Sequence, residues 1–367
     1  MTVNRIIIFG TFDFVQEINQ FIYDKYSNFV YCDFDEKCYA TVFDMRPLLK
    51  ISEVSPNKDD IVVISYSSKK TILAATKLLE KKGFLKERIV PFVDFFYTNY
   101  ANPLSRFLLN KASNFDTLLF GMSHSQNGLF FSKLGHSVFP FVGPSLDLFL
   151  YKKYLEIVTN EYSNLSSIRD IVIEMPYYFF NYDLSMQKNF VKTKMYYFAS
   201  VNDFHHIDSL IVKRFGFFAS IFDIKTFINK NSIEKNRDYL NKEKNFKLLR
   251  RIKKVLFESN KVDLVWKKEY LETLEENKVI FSELLNLVKN KIPNAKIAII
   301  VMPLNRLFRI KNRKVLKKSK KVFYSIISHF NNIEIRDYSD MKIEGKFFLD
   351  YCHLYFDGKT KLDIYNN

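Results

Sequence analysis

Between Arg5 and about Val93 the chain alternates short apolar runs with longer stretches whose apolar residues recur at helical spacing. Ile6-Ile-Ile-Phe9, Phe29-Val-Tyr-Cys32, Ile61-Val-Val-Ile64 and Arg88-Ile-Val90 read as strands, and the stretches from Phe14 to Tyr26 and from Lys69 to Lys82 read as amphipathic helices. Strands interleaved with helices in this way predict βαβ units and a parallel sheet. The periodicity lapses at Tyr97-Thr-Asn-Tyr-Ala-Asn-Pro103, a polar, proline-bearing stretch that makes a natural domain boundary. A second sheet pattern then begins, with strands expected at Thr117-Leu-Leu-Phe120, Ile168 to Glu174, Ile297-Ala-Ile-Ile-Val301 and Ile333-Glu-Ile-Arg-Asp337. The expectation is a two-domain α/β protein: residues 1–100, then residues 101–367, with a helical insertion at about 185–290.

The first of these domains reads as Rossmann-like. Its first strand runs into Gly10-Thr-Phe-Asp-Phe14, which has the place of a dinucleotide-binding loop, but Phe12 and Phe14 stand where that loop needs small residues. Bulky side chains there keep a pyrophosphate from the backbone. Asp33 and Asp35 follow the second strand, where a ribose-binding acid would sit and where caps and turns also place acids. Two readings stay open for this domain: a nucleotide site with a degenerate glycine-rich loop, or a structural or partner-docking module. The segment resembles the amino-terminal nucleotide-binding-like domains of some bacterial polysaccharide-modifying proteins.

Composition narrows the classes. With 367 residues, 47% hydrophobic and 26% charged, the chain has ordinary globular usage, which excludes collagen-like and wholly disordered readings. Cys32, Cys38 and Cys352 show no Cys-x-x-Cys spacing, which argues against a disulfide framework and a structural zinc and fits a reducing cytoplasm. Met1-Thr-Val-Asn-Arg5 lacks a signal-peptide pattern, and no stretch nears the roughly 20 apolar residues that span a bilayer, so a soluble cytoplasmic protein is expected. The net charge of +16 predicts attraction to polyanions: an acidic polysaccharide or glycan precursor, or the inner face of an acidic membrane. Two basic tracts, Lys247 to Lys254 and Arg306 to Lys321, have helical spacing and suit either a solvated face or a cradle for such a partner. Nucleic acid is disfavoured, because no helix-turn-helix, zinc-finger or RNA-recognition pattern accompanies the charge.

The residues that carry chemistry lie at the two ends of the second domain. Phe120-Gly-Met-Ser-His-Ser-Gln-Asn-Gly128 follows an apolar strand and precedes a plausible helix, so Ser123 falls at the carboxyl edge of a parallel sheet with backbone N–H groups at hand. Near the other end, Asp350-Tyr-Cys-His353 supplies a base and a carboxylate to orient it, which a serine nucleophile requires. The bland alternative makes Ser123 and Ser125 helix caps. Ser125 is also an alternative nucleophile, His124 and Ser125 are candidate substrate contacts, and Cys352 is a candidate nucleophile beside the base. His205 and His206 are a further, isolated metal-ligand possibility. Asn305 and Arg306 end the strand at Val301 and are candidate substrate contacts.

Gly121-Met-Ser123 with Gly128, together with Asp350-x-x-His353, resembles the SGNH (GDSL-like) hydrolase and acyltransferase superfamily. The resemblance runs from about Phe115 to the end without the middle insertion, and Met122 replaces the family's usual Asp before the serine. It implies a three-layer α/β/α domain, Ser123 as nucleophile, His353 as general base and acid, Asp350 as its orienting carboxylate, and Gly143 and Asn181 as oxyanion partners of the Ser123 N–H. It further implies O-acetyl transfer from acetyl-CoA, with no metal, onto a capsular or other surface polysaccharide. A carbohydrate esterase and a non-catalytic polysaccharide-biosynthesis protein are the alternatives.

Overall fold

The computed structural model describes residues 5–11, 13–22, 28–92, 103–129, 131, 134–143, 146–184, 271–348 and 350–354. The described residues fall into two compact units, one within Met1–Ala101 and the other within Asn102–Gln187 and Arg237–Asn367. His205, His206 and the tract Lys247 to Lys254 lie outside the described residues.

The first unit contains β1 (Arg5–Phe9), α1 (Val15–Ile22), β2 (Phe29–Asp33), β3 (Val42–Phe43), β4 (Arg46–Lys50), β5 (Asp60–Ile64), α2 (Lys69–Lys82) and β6 (Ile89–Pro91). The sheet order is β3-β4-β2-β1-β5-β6, parallel throughout except for the β3-β4 pair. Every residue of β5 and all of β1 after Arg5 are buried, which explains why both strands read as unbroken apolar runs: they are covered on both faces. β3 and β4 escape the sequence pattern because their side chains are largely exposed and Pro47 interrupts the run.

The turn after β1 is closed by the unit's own side chains. Gly10 has φ +106°, and a Cβ there would lie 2.5 Å from the Ser65 hydroxyl and 2.9 Å from the Tyr66 ring. Asp33, buried at the end of β2, accepts hydrogen bonds from the Tyr66 hydroxyl (2.5 Å), the Phe34 N–H (2.8 Å) and the Thr11 hydroxyl (3.4 Å). Burial and the Asp33 carboxylate push the Tyr66 hydroxyl far above its ordinary pKa, so it remains a donor. Tyr66 thus takes one Asp33 oxygen and Thr11 the other, and Asp35 caps the neighbouring turn by accepting from the Ser52 N–H at 3.0 Å.

The second unit contains α3 (Pro103–Asn110), β7 (Thr117–Gly121), α4 (Ser123–Gly128), β8 (Val138–Val142), α5 (Leu148–Glu161), β9 (Asp170–Glu174), α6 (Leu271–Lys291), β10 (Lys296–Val301), α7 (Arg306–Lys311), α8 (Arg313–Ile327) and β11 (Ile333–Asp337). Its strands are all parallel in the order β11-β10-β9-β7-β8. β8 is the strand the apolar pattern misses: Pro140 sits in it, which an edge strand tolerates because one side of its backbone needs no partner. Alternation along the strands builds two cores. Phe120, Phe141 and Tyr151 meet on one face, with Phe120 and Phe141 stacked at 5.1 Å, while Leu119, Val142, Val172 and Ile300 meet on the other. Of the expected insertion at about 185–290, the described part is α6, the crossover from β9 to β10, packed along α5 with Lys152 paired to Glu283 at 2.5 Å.

Candidate active site

Strand order reverses at β7, which has β8 on one side and β9, β10 and β11 on the other, and ligands of open α/β sheets bind outside the carboxyl ends of the strands at such a point. Gly121 ends β7 there. A Cβ on it would lie 2.8 Å from the Ser125 Cβ, so only glycine lets α4 start this close to the strand. Met122 is extended (φ −93°, ψ −170°) and occupies the cap position, which leaves Ser123 as the first helical residue with its hydroxyl not engaged in capping.

That hydroxyl donates to His353 Nε2 at 2.6 Å, and His353 Nδ1 lies 2.7 Å from Asp350 Oδ2. The other Asp350 oxygen accepts the backbone N–H groups of Cys352 (2.9 Å) and His353 (2.8 Å), so one carboxylate folds the loop and orients the ring. Burial opposes the charge on Asp350. The His353 hydrogen bond and the two N–H groups outweigh it and hold the carboxyl well below the ordinary carboxylate range. With the Asp350 carboxylate on Nδ1–H, the Nε2 lone pair faces the serine proton. Ser123 and His353 are half-buried, whereas Asp350 is buried.

The loop is anchored from β10. Asn305 caps α7 by accepting the Leu307 N–H at 2.9 Å, and its own N–H donates to the Tyr351 carbonyl at 2.9 Å. Asn305 is therefore a buried brace for the loop rather than the substrate contact expected, while Arg306, one residue on, is exposed.

A second histidine–carboxylate pair supports the turn, and its acid was not foreseen. Glu174, fully buried at the end of β9, accepts His124 Nδ1–H at 2.7 Å through one oxygen and the N–H groups of Met122 (2.7 Å) and Ser125 (3.0 Å) through the other. Burial raises Glu174 and lowers His124. Their mutual attraction overrides it in both cases, holding Glu174 below its ordinary 4.5 and His124 above its ordinary 6.5. The His124 ring lies 4.8 Å from that of His353. Of the two expected substrate contacts, His124 is 7% exposed and lines a narrow cleft with Tyr178 and Leu304, and Ser125 is 0% exposed and packed against Gly121. The one signal for Glu174 in the sequence is a charge closing the apolar run Ile171-Val-Ile.

Of the expected oxyanion partners, Gly143 gives its N–H to the Gly121 carbonyl at 3.2 Å, extending the β7-β8 ladder, and in this conformation donates elsewhere than to a reacting oxygen. Asn181 closes the short turn Phe179–Asn181, which α6 holds through Asn277 Nδ2 on the Phe180 and Tyr182 carbonyls (3.0 Å each). Among the described residues no hydrogen bond joins the Asn181 side chain to the triad. Glu174 takes the Met122 and Ser125 N–H groups, and that of Ser123 has no acceptor among the described residues.

Cys352 is buried and its thiol is pushed far up, first by burial and then by Asp350, so it is not a thiolate nucleophile. Donor atoms of His124, Cys352 and His353 lie within 4.8 Å of one another. In this structure His353 Nε2 holds the Ser123 hydroxyl and His124 Nδ1 holds Glu174. No helix among the described residues is long and apolar enough to cross a membrane.

No protein-family model matches the chain, and no curated protein matches it. Among solved structures, one described as "a putative platelet activating factor from Streptococcus pneumonia" aligns over 80% of this chain and 96% of its own, at 9% identity and a TM-score of 0.39. A likeness of that size bears on neither fold family nor activity.

Proposed function

We propose that the chain is a serine acyltransferase of the SGNH type, and the observation that carries the reading is the continuous chain Ser123 Oγ, His353 Nε2, His353 Nδ1, Asp350 Oδ2 at 2.6 and 2.7 Å. A nucleophile just after the first strand of this sheet and an Asp-x-x-His loop beyond the last one support the family assignment, as does the parallel order of the sheet.

In the proposed reaction the Ser123 oxygen attacks the acyl carbonyl of a thioester while His353 Nε2 takes the hydroxyl proton. The imidazolium so formed is stabilised by Asp350, which remains ionised because its two N–H bonds and the His353 bond hold its charge. The Ser123 N–H is the donor positioned for the developing oxyanion. Collapse breaks the carbon–sulfur bond, the thiol leaves with the proton from His353, and an acyl-Ser123 ester remains. In the second half an acceptor hydroxyl gives its proton to His353 and attacks that ester, which regenerates Ser123. The acceptor class we propose is an acidic surface glycan or its precursor and the donor acetyl-CoA, readings supported by the charge of +16.

The test is thiol release from acetyl-CoA by the full chain and by Ser123→Ala, with and without a panel of acidic capsular polysaccharides. Release that needs both Ser123 and a glycan supports the transferase. Ser123-dependent cleavage of an aryl acetate with no glycan-dependent release replaces it by an esterase, and silence in both assays overturns the serine mechanism.

A further inference from the structure

A cavity of about 1020 Å³ in the second unit opens at the carboxyl edge of β10 and β11 between α7, α8 and the segment 339–345. Its walls carry Arg306, Arg309, Arg313, Lys317, Lys320 and Lys342. Asp340 pairs with Arg309 (3.2 Å) and Lys320 (3.3 Å), and Asp337 with Lys320 (2.9 Å). Arg306, Arg313, Lys317 and Lys342 are exposed and have no carboxylate partner among the described residues. Arg313, Lys317 and Lys320 stand at i, i+4 and i+7 on α8 and so form one stripe along the groove.

The floor is apolar. Leu304, Leu316 and Ile343 line it, and Ile310, 63% exposed, lies bare at its side. Leu304 also lines the narrow cleft formed with His124, Tyr178, Met302, Tyr351 and Cys352, so groove and triad loop share a wall. A flexible acidic polymer presents dispersed carboxylates along a hydroxyl-rich chain and needs an open track. This groove gathers its cations in one place and joins them to apolar surface. That combination matches a ligand with several phosphates next to a flat heteroaromatic ring, for which guanidinium forks are suited.

We infer that this groove seats the adenosine 3′-phosphate 5′-diphosphate portion of the acyl donor, with the thioester arm running past Leu304 toward Ser123. The inference rests on the acyl-transfer reading for the identity of the donor, but binding in the groove requires no chemistry at the serine.

The experiment is calorimetric titration of the full chain with CoA, with pantetheine and with an acidic capsular polysaccharide. The proteins are the wild type, Ser123→Ala, the double variant Arg313→Gln/Lys317→Gln, and the control Lys278→Gln on α6, with thermal melting to show that each is folded. Loss of about ten-fold or more in CoA affinity in the double variant is expected, together with full affinity in Lys278→Gln and Ser123→Ala, and much weaker binding of pantetheine. CoA affinity should also fall with added salt. The inference is overturned if the folded double variant binds CoA as the wild type does, or if pantetheine binds as tightly as CoA. It is equally overturned if the double variant loses the polysaccharide but keeps CoA, which would give the groove to the acceptor. Labelling of Ser123 by a fluorophosphonate probe separates the two claims: an unlabelled wild type whose CoA binding still depends on Arg313 and Lys317 would sink the serine mechanism and leave the groove assigned.

Discussion

The two sheets have the same problem at their carboxyl edges and answer it differently. In each, a central strand ends at a glycine, Gly10 or Gly121, and a buried acid ends a neighbouring strand, Asp33 or Glu174. In the first unit the acid's partners, Tyr66 and Thr11, close over the loop, and Ser65 and Tyr66 fill the space beside the glycine. In the second the acid is satisfied from within, by His124 and two N–H groups of the turn, which leaves the Ser123 hydroxyl to a separate donor chain. A switch point becomes a site only where the groups that stabilise the turn are not also the groups that plug it.

The most forceful way to break this comparison is Ser123→Ala. A drop of roughly 10³-fold or more in acyl-transfer or ester-cleavage rate is expected, with little change in melting temperature, read by steady-state kinetics beside a thermal melt. Next in size is Glu174→Ala, which leaves the buried His124 N–H and two backbone N–H groups without their acceptor. It should destabilise the fold by about 3–5 kcal/mol in denaturant titration, and retention of wild-type stability would show that Glu174 is not the strut of the turn. Tyr66→Phe is the counterpart in the first unit. Removing a donor from buried Asp33 should destabilise by about 1–3 kcal/mol and leave kcat and KM unchanged, so a kinetic effect would contradict the view that this edge is closed and inert.

The finest test is pH. His124 is raised above 6.5 on folding, so its contribution is complete below that pH and is lost as pH rises through the raised value. Glu174 is lowered below 4.5, so its contribution is complete above 4.5 and is lost as pH falls through the lowered value. Melting temperature measured across pH should therefore show a stabilising component that is full between 4.5 and 6.5 and declines on both sides, and that component should be missing from His124→Gln.

Much of the fold is legible in the chain because buried parallel strands announce themselves as unbroken apolar runs. β1, β2, β5, β7, β9 and β10 do so. β4 and β8 do not, since each carries a proline and β4 is largely exposed. At the site, Ser123 and the Asp350-x-x-His353 loop were readable as local patterns. Glu174 was not, because its partners His124, Met122 and Ser125 lie some fifty positions away and only strand pairing brings them together. The hydrogen bonds of Asn305 and His124 and the burial of Ser125 were not legible either: polar residues near a strand end look alike in sequence whether they face a substrate or hold the scaffold.

One consequence of the Glu174 arrangement concerns descent rather than chemistry. Replacing either Glu174 or His124 alone leaves a buried polar group without its partner, so the route from this pair to any other passes through a less stable intermediate. The two positions, on different elements and fifty residues apart, should therefore be inherited as a single character, exchanged together or not at all.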